Sequence, residues 1–166
     1  MRYATRAPYM CSSLVRGASF AMTFGGKEHA MVSRLNPYLG FQDSARAALE
    51  FYRDVFGGNL TISTFGDMGD KEAPGAELVM HGLLETAKGF TLMAADTPPG
   101  MEYHPGSSIS VSLSGDDAEE LRGYWDGLSA GGRVTVPLEK QMWGDEFGMC
   151  VDRFGISWMV NIGAPQ

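Results

Sequence analysis

Cysteine is scarce in this sequence, with two in 166 residues, Cys11 and Cys150. Their spacing fits neither a zinc site nor a disulfide framework. Cys150 lies in an apolar run where a reduced, buried thiol is the ordinary state, which suits a cytoplasmic, reducing setting. Basic side chains are also in deficit: 13 Lys plus Arg against 20 Asp plus Glu give a net charge of −7. That sign argues against nucleic acid and membrane surfaces as partners, since both present anionic phosphate. No apolar run approaches the roughly 20 residues of a bilayer span, because Arg16 interrupts the one stretch, Tyr9 to Phe24, that comes near. With 44% hydrophobic and 20% charged residues, the composition is that of one globular domain. A chain of this size buries roughly 70% of its unfolded surface and needs no covalent or metal staple.

Charge is unevenly spread. Residues 1–30 hold Arg2, Arg6, Arg16 and Lys27 against Glu28 alone, so the other 136 residues carry 9 basic and 19 acidic groups, a net of −10. This first segment reads as a poorly ordered leader or as an upstream start ahead of Met31; the alternative is a transit or secretory signal. Residues 31–166 read as the domain.

Within that domain the chain repeats itself. Asp43-Ser44-Ala45, Phe51-Tyr52 and Gly57-Gly58 are echoed by Asp116-Asp117-Ala118, Tyr124-Trp125 and Gly131-Gly132, 73 to 74 residues later. Ala45, Ala48, Leu49, Tyr52 and Phe56 fall on one face of a 3.6-residue period, as do Ala118, Leu121, Trp125 and Leu128. Asp43 or Ser44 can cap the first helix and Gly57 can end it, while Asp116 with Glu119, or Asp117 with Glu120, offers the second a capping box. Strands are expected at 35–41, 59–65, 78–86 and 90–96 in module one (about 33–97). In module two (about 106–163) they are expected at 108–114, 133–139, 147–152 and 157–162. In 108–114, Ile109, Val111 and Leu113 alternate with four serines, the pattern of a strand with one apolar side. The fold class is therefore α+β, with a βαβββ unit used twice.

Paired βαβββ units resemble the glyoxalase, bleomycin-resistance and extradiol dioxygenase proteins, the vicinal oxygen chelate superfamily. Asn36 to Phe41, Phe51-Tyr52-Arg53, Met80-His81-Gly82, Leu92 to Asp96 and above all Asp152-Arg153-Phe154-Gly155-Ile156-Ser157-Trp158-Met159-Val160-Asn161-Ile162 resemble its PhnB-like branch. The resemblance covers nearly all of residues 33–162. It implies curved, mostly antiparallel sheets around a cleft, a homodimer, and a small-molecule ligand. The methyltransferase label often carried by that branch has no support in the sequence, which lacks a glycine-rich strand-to-helix turn for S-adenosylmethionine.

In metal-using relatives, His, Gln or Glu ligands project from the first and last strands of each module. Here those strands offer Asn36 and Pro37, Ala95, Ser110 and Asn161, with no carboxylate or imidazole among them. No cofactor is therefore expected, and a divalent metal stands as the alternative. His29 belongs to the leader and His104 to the 98–106 loop, which leaves His81 as the one strand histidine. It is a general base or ligand partner on one reading and a packed core residue on the other. Glu85 shares its face if the strand is regular. Asp96 is either a ligand contact or a turn cap, with the cap favoured by turn chemistry. Tyr38, Met93, Trp143, Phe147 and Met159, with Met142, supply aromatic faces and thioethers suited to an adaptable cleft wall, or to plain core. The expected pocket is thus Tyr38, His81, Met93, Asp96, Trp143, Phe147, Met159 and Asn161. Two functions are open: a metal-free binder of the bleomycin-resistance kind, and an enzyme of the lyase, isomerase or dioxygenase type.

Overall fold

Eight strands and three helices form over residues 33–164, the part of the chain that the computed structural model describes. The expected leader at 1–30, with Cys11 and His29, lies outside the described residues. Module one runs β1 (Tyr38–Phe41), α1 (Ala45–Phe56), β2 (Asn59–Thr64), α2 (Phe65–Met68), β3 (Val79–Glu85) and β4 (Thr91–Asp96). Module two runs β5 (Val111–Gly115), α3 (Ala118–Ser129), β6 (Arg133–Lys140), β7 (Glu146–Val151) and β8 (Ser157–Ile162). Each forms its own four-stranded sheet, in the orders β1-β4-β3-β2 and β5-β8-β7-β6. The first and last strands of each module pair in parallel and the other pairs are antiparallel.

Helix α1 forms because its apolar stripe has a surface to cover: Ala45, Ala48, Leu49, Tyr52 and Phe56 are all buried. Its N-cap is Ser44, whose side chain makes no capping bond; the Ala45 N–H donates instead to the Asp96 carboxylate at 2.8 Å. In α3 the Asp117 side chain accepts from the Glu120 N–H. The Glu120 carboxylate turns away from the cap to accept from the Tyr124 hydroxyl and pair with Lys88, so only half of the expected box forms. Both long helices are followed by a double glycine. Gly57 (φ 68°) and Gly131 (φ 75°) adopt the left-handed backbone that reverses the chain. At Gly58 and Gly132 a Cβ would strike the backbone carbonyl oxygens of Glu85 and Val151, at the end of the neighbouring strand.

Two first strands start three residues later than expected. Pro37 has no N–H for a ladder, and β1 begins after it, although the Pro37 carbonyl still accepts from Met93 N–H. In module two the β5–β8 pairing begins at Val111 opposite Trp158, so Ser108 to Ser110 lie outside the ladder and Ile109 is 82% exposed instead of facing inward. Residues 65–68 form the short α2 instead of extending β2, because Thr64 and Asp67 make a complete capping box.

The modules share one apolar core on the helix-bearing sides of their sheets. Phe56 packs on Tyr124 and Trp158, Tyr52 on Trp158, and Phe41 and Phe51 on Phe154. Within this core sits a buried carboxylate, Asp152. One of its oxygens accepts from the Tyr52 hydroxyl at 2.6 Å and from Trp158 Nε1 at 2.8 Å; the other accepts from the Phe154 and Ile156 N–H groups. Four donors replace the water such a charge would otherwise need. Burial, then the Asp152 charge and hydrogen bond, hold the Tyr52 phenol well above the ordinary tyrosine range.

The corresponding turn of module one has the same backbone bonds with a lighter side chain. Thr86 N–H donates to Phe90 O and Gly89 N–H to Thr86 O, as Asp152 N–H does to Ile156 O and Gly155 N–H to Asp152 O. Thr86 Oγ1 accepts from Phe90 N–H just as the Asp152 carboxylate accepts from Ile156 N–H. Only the aspartate has a second oxygen with which to reach the other module.

Candidate functional site

Strand alternation divides each sheet into a helix-bearing face and an open face. On sheet one, Leu39, Phe41, Leu84, Leu92 and Ala94 are buried toward α1, so Tyr38, His81, Leu83, Met93 and Ala95 stand on the other side. The register brings three of the expected residues together. Tyr38 is opposite Met93 in the β1–β4 pair, and Met93 is opposite Leu83 in the β3–β4 pair, two residues from His81. The Tyr38 hydroxyl lies 3.3 Å from His81 Nδ1 and the two ring centroids are 5.9 Å apart. The direction of this bond follows the histidine tautomer: with Tyr38 donating, the ring proton sits on Nε2. Glu85 shares this face at the far end of β3, four residues and roughly 13 Å from His81, with no hydrogen bond to it among the described residues.

Sheet two presents a second open-face group. Phe147 is opposite Asn161, Asn161 is opposite Ser114, and Met149 is opposite Met159, which in turn is opposite Ser112. Trp143, in the β6–β7 turn and 60% exposed, packs on Phe147 with ring centroids 6.4 Å apart. The Asn161 amide donates to the Asp145 carboxylate at 2.9 Å, which fixes its orientation. Met142, beside Trp143, is fully exposed and walls nothing.

The expected pocket therefore divides. Tyr38, His81 and Met93 form one group; Trp143, Phe147, Met159 and Asn161 form another; no hydrogen bond or ring contact among the described residues joins the two. Asp96 belongs to neither. It lies on the helix-bearing side at 5% exposure, with its oxygens accepting from the Ala45 and Val79 N–H groups, so it ties β4 to the starts of α1 and β3. His104 sits beside Glu102 in the crossover, exposed. Sequence reasoning missed Asp145, and its signal was available: an aspartate in a Trp-Gly-Asp turn, followed by the strand that pairs with β8.

The donor set does not fit the metal that the superfamily's ligand pattern implies. The open-face positions of β1, β4, β5 and β8 are Tyr38, Gly40, Thr91, Met93, Ala95, Ser112, Ser114, Ser157, Met159 and Asn161, on the registers above. Among the described residues no three His, Cys, Asp or Glu side chains converge in a way that could hold an ion.

Two grooves flank the seam between β1 and β5. One, of about 560 Å³, runs past Tyr38, Gly40, Tyr103, Ile109 and Ser157. The other, of about 370 Å³, runs past Pro37, Phe90, Thr91, Ser112 and Leu121. No helix of the described residues is long and apolar enough to cross a membrane.

Known proteins share this fold. A family model described as 3-demethylubiquinone-9 3-methyltransferase matches residues 33–161. Protein PA1353 from Pseudomonas aeruginosa is 35% identical over 81% of this chain and all of its own, with a TM-score of 0.72. The PhnB protein from Bacillus cereus is 20% identical over 79% of this chain and all of its own, with a TM-score of 0.64. Protein YjdN of Escherichia coli strain K12 is 26% identical over 80% of this chain and 97% of its own length.

Proposed function

From the premise that this chain belongs to the PhnB-like family of the vicinal oxygen chelate superfamily, we propose that it binds a small molecule on the open face of sheet one without a catalytic metal. The observation that carries the proposal is the contact between the Tyr38 hydroxyl and His81 Nδ1 beside Met93. A polar pair beside the apolar Met93, Leu83 and Ala95 supplies what a ligand site needs, a few placed hydrogen-bonding groups next to a greasy wall. The ligand has an apolar body and a polar group that meets the Tyr38 and His81 pair.

A second copy of the chain fits this reading, because both open faces carry half-exposed apolar side chains, Met93 and Leu83 on one, Phe147, Met149 and Met159 on the other. Pairing would cover them. Sedimentation at micromolar concentration should then give twice the 18.0 kDa chain mass, and a species of single mass at all concentrations would remove the dimer. A free, buried Cys150 suits a reducing, cytoplasmic setting.

The family description names a methyl transfer, and the β1–α1 connection of this chain is Gln42-Asp43-Ser44, with no glycine to let a nucleotide approach the backbone. The proposal is accordingly one of binding. Its test is a thermal-shift screen of small molecules on the full chain, followed by affinity measurements on Tyr38→Phe and His81→Ala. Either substitution should weaken a hit by about tenfold, the equivalent of one hydrogen bond of about 1.4 kcal/mol. Unchanged affinities together with a lowered melting temperature for His81→Ala would make His81 a packing residue and sink the proposal.

A further inference from the structure

The two grooves are copies of each other under the internal repeat. The smaller is framed by residues 35–37, 89–92 and 111–114; the larger is framed by 38–40, 107–111 and 154–157. Each thus combines the lead-in to one module's first strand, the other module's first strand, and the turn before a last strand. Their shared origin is the seam itself, because β1 pairs only with β4 and β5 only with β8, leaving the two first strands flanking an unfilled gap. One difference separates them. The crossover between the modules lays Tyr103, Pro105 and Gly106 along the larger groove and gives it a wall that the smaller one lacks.

Neither groove carries a charged side chain, and the walled one adds the aromatic surface of Tyr103 from the crossover. In a molecule of net charge −7, none of the walled groove's 14 lining residues is Asp, Glu, Lys, Arg or His. Its surface includes the Tyr38, Tyr103 and Phe154 side chains, the aliphatic Ile109 and Ile156, and serine hydroxyls at Ser107, Ser108 and Ser157. Ile109 is 82% and Tyr38 53% exposed, so apolar area stands open along it. An ion entering there would lose hydration with no counter-charge to replace it, whereas a flat uncharged ring would find aromatic faces and neutral hydrogen-bonding groups. A volume near 560 Å³ lies within the range of small-molecule sites.

We infer that the groove between β1, the crossover and the β7–β8 turn takes an uncharged, planar aromatic ligand. This deepens the binding proposal above and rests on it, because Tyr38 belongs both to this groove and to the pair with His81. The ring lies along Tyr103 and Ile109, and its polar edge reaches toward Tyr38.

The test uses the full chain with two fluorescent probes of one aromatic frame, neutral N-phenyl-1-naphthylamine and its sulfonated relative 8-anilinonaphthalene-1-sulfonate. The neutral probe should bind at least tenfold more tightly. Ile109→Glu alters a side chain in solvent and should preserve the melting temperature while weakening the neutral probe at least tenfold; Tyr103→Ala should do likewise. Equal affinity for the two probes, or no binding of the neutral one, overturns the inference. If His81→Ala weakens the neutral probe and Ile109→Glu does not, the groove fails and the open-face reading survives. If neither substitution matters, both fail.

Discussion

Replacing Asp152 by asparagine tests the core of the fold with almost no change in volume. The carboxylate has two oxygens and faces four donors, two on each oxygen. An amide retains one oxygen, so one side of the group must present N–H where it formerly accepted. Turned toward the turn, the amide would meet the Phe154 and Ile156 N–H groups, neither of which can accept. Turned toward the core, it meets the Tyr52 hydroxyl, which can rotate to accept, and Trp158 Nε1–H, which cannot. The second arrangement is the less costly, and it still orphans the indole N–H of a tryptophan that is 1% exposed. Losing the Trp158 hydrogen bond to a charged acceptor and leaving that buried donor unsatisfied sums to about 3–5 kcal/mol. For a domain of this size that lowers the melting temperature by roughly 10 °C. Urea unfolding followed by tryptophan fluorescence gives the free energy, and the double variant with Tyr52→Phe gives the coupling, which should be about 1–2 kcal/mol. A loss under about 1 kcal/mol for Asp152→Asn, or strict additivity with Tyr52→Phe, would refute the account of Asp152 as the acceptor that joins the modules.

Alkaline pH should loosen the same region. Burial and the neighbouring Asp152 charge push the Cys150 thiol from 9.0 up to about 11, and Tyr52 is raised as well. Raised values favour the neutral forms in the folded state, so their contribution is intact below pH 9 and is lost as pH rises past 9 for Cys150 and past 10 for Tyr52. On the order of 2 kcal/mol should disappear by pH 11, and a Cys150→Ala variant should show a shallower decline in melting temperature over that window. At neutral pH in a Cys11→Ser background, Cys150 should react with a thiol reagent only as fast as the protein opens; rapid stoichiometric labelling would contradict its burial. Gly132→Ala forces a Cβ onto the Val151 carbonyl and should cost about 1–3 kcal/mol. Gly123→Ala, whose Cβ meets nothing, should instead stabilise α3 by up to about 1 kcal/mol, and reversed signs in thermal melts would rule out the close-approach explanation.

The repeat and the helix stripes were legible because periodicity depends on burial, and burial was high for α1 and α3. The strands that went astray were the two whose boundaries depend on a partner. Nothing local to Ser108-Ile109-Ser110 reveals that the pairing with β8 begins only at Val111. Tyr38 and His81, 43 residues apart, were each visible as candidates, yet their contact follows from the β1-β4-β3 order, which no pattern in either strand encodes. Asp152 is a different case. It opens the most recognisable stretch of the chain, and that distinctiveness is structural, since all its partners lie in the core and the turn. Asp96 behaves in the same way, because a carboxylate at a strand end looks alike whether it faces a ligand or the start of a helix.

The bond from Tyr52 to Asp152 spans 100 residues of chain and runs in one direction, from the first module to a turn in the second. During synthesis at about 5–20 residues per second, the first module emerges with that hydroxyl and waits about 5–20 s for its acceptor. Through that interval Tyr52 and Phe56 have no indole to pack against, since Trp158 is made later still. The order of manufacture thus leaves the first half of the molecule with an unfinished aromatic face. Chaperone dependence should fall on nascent chains shorter than about 160 residues and end when the last strand is released.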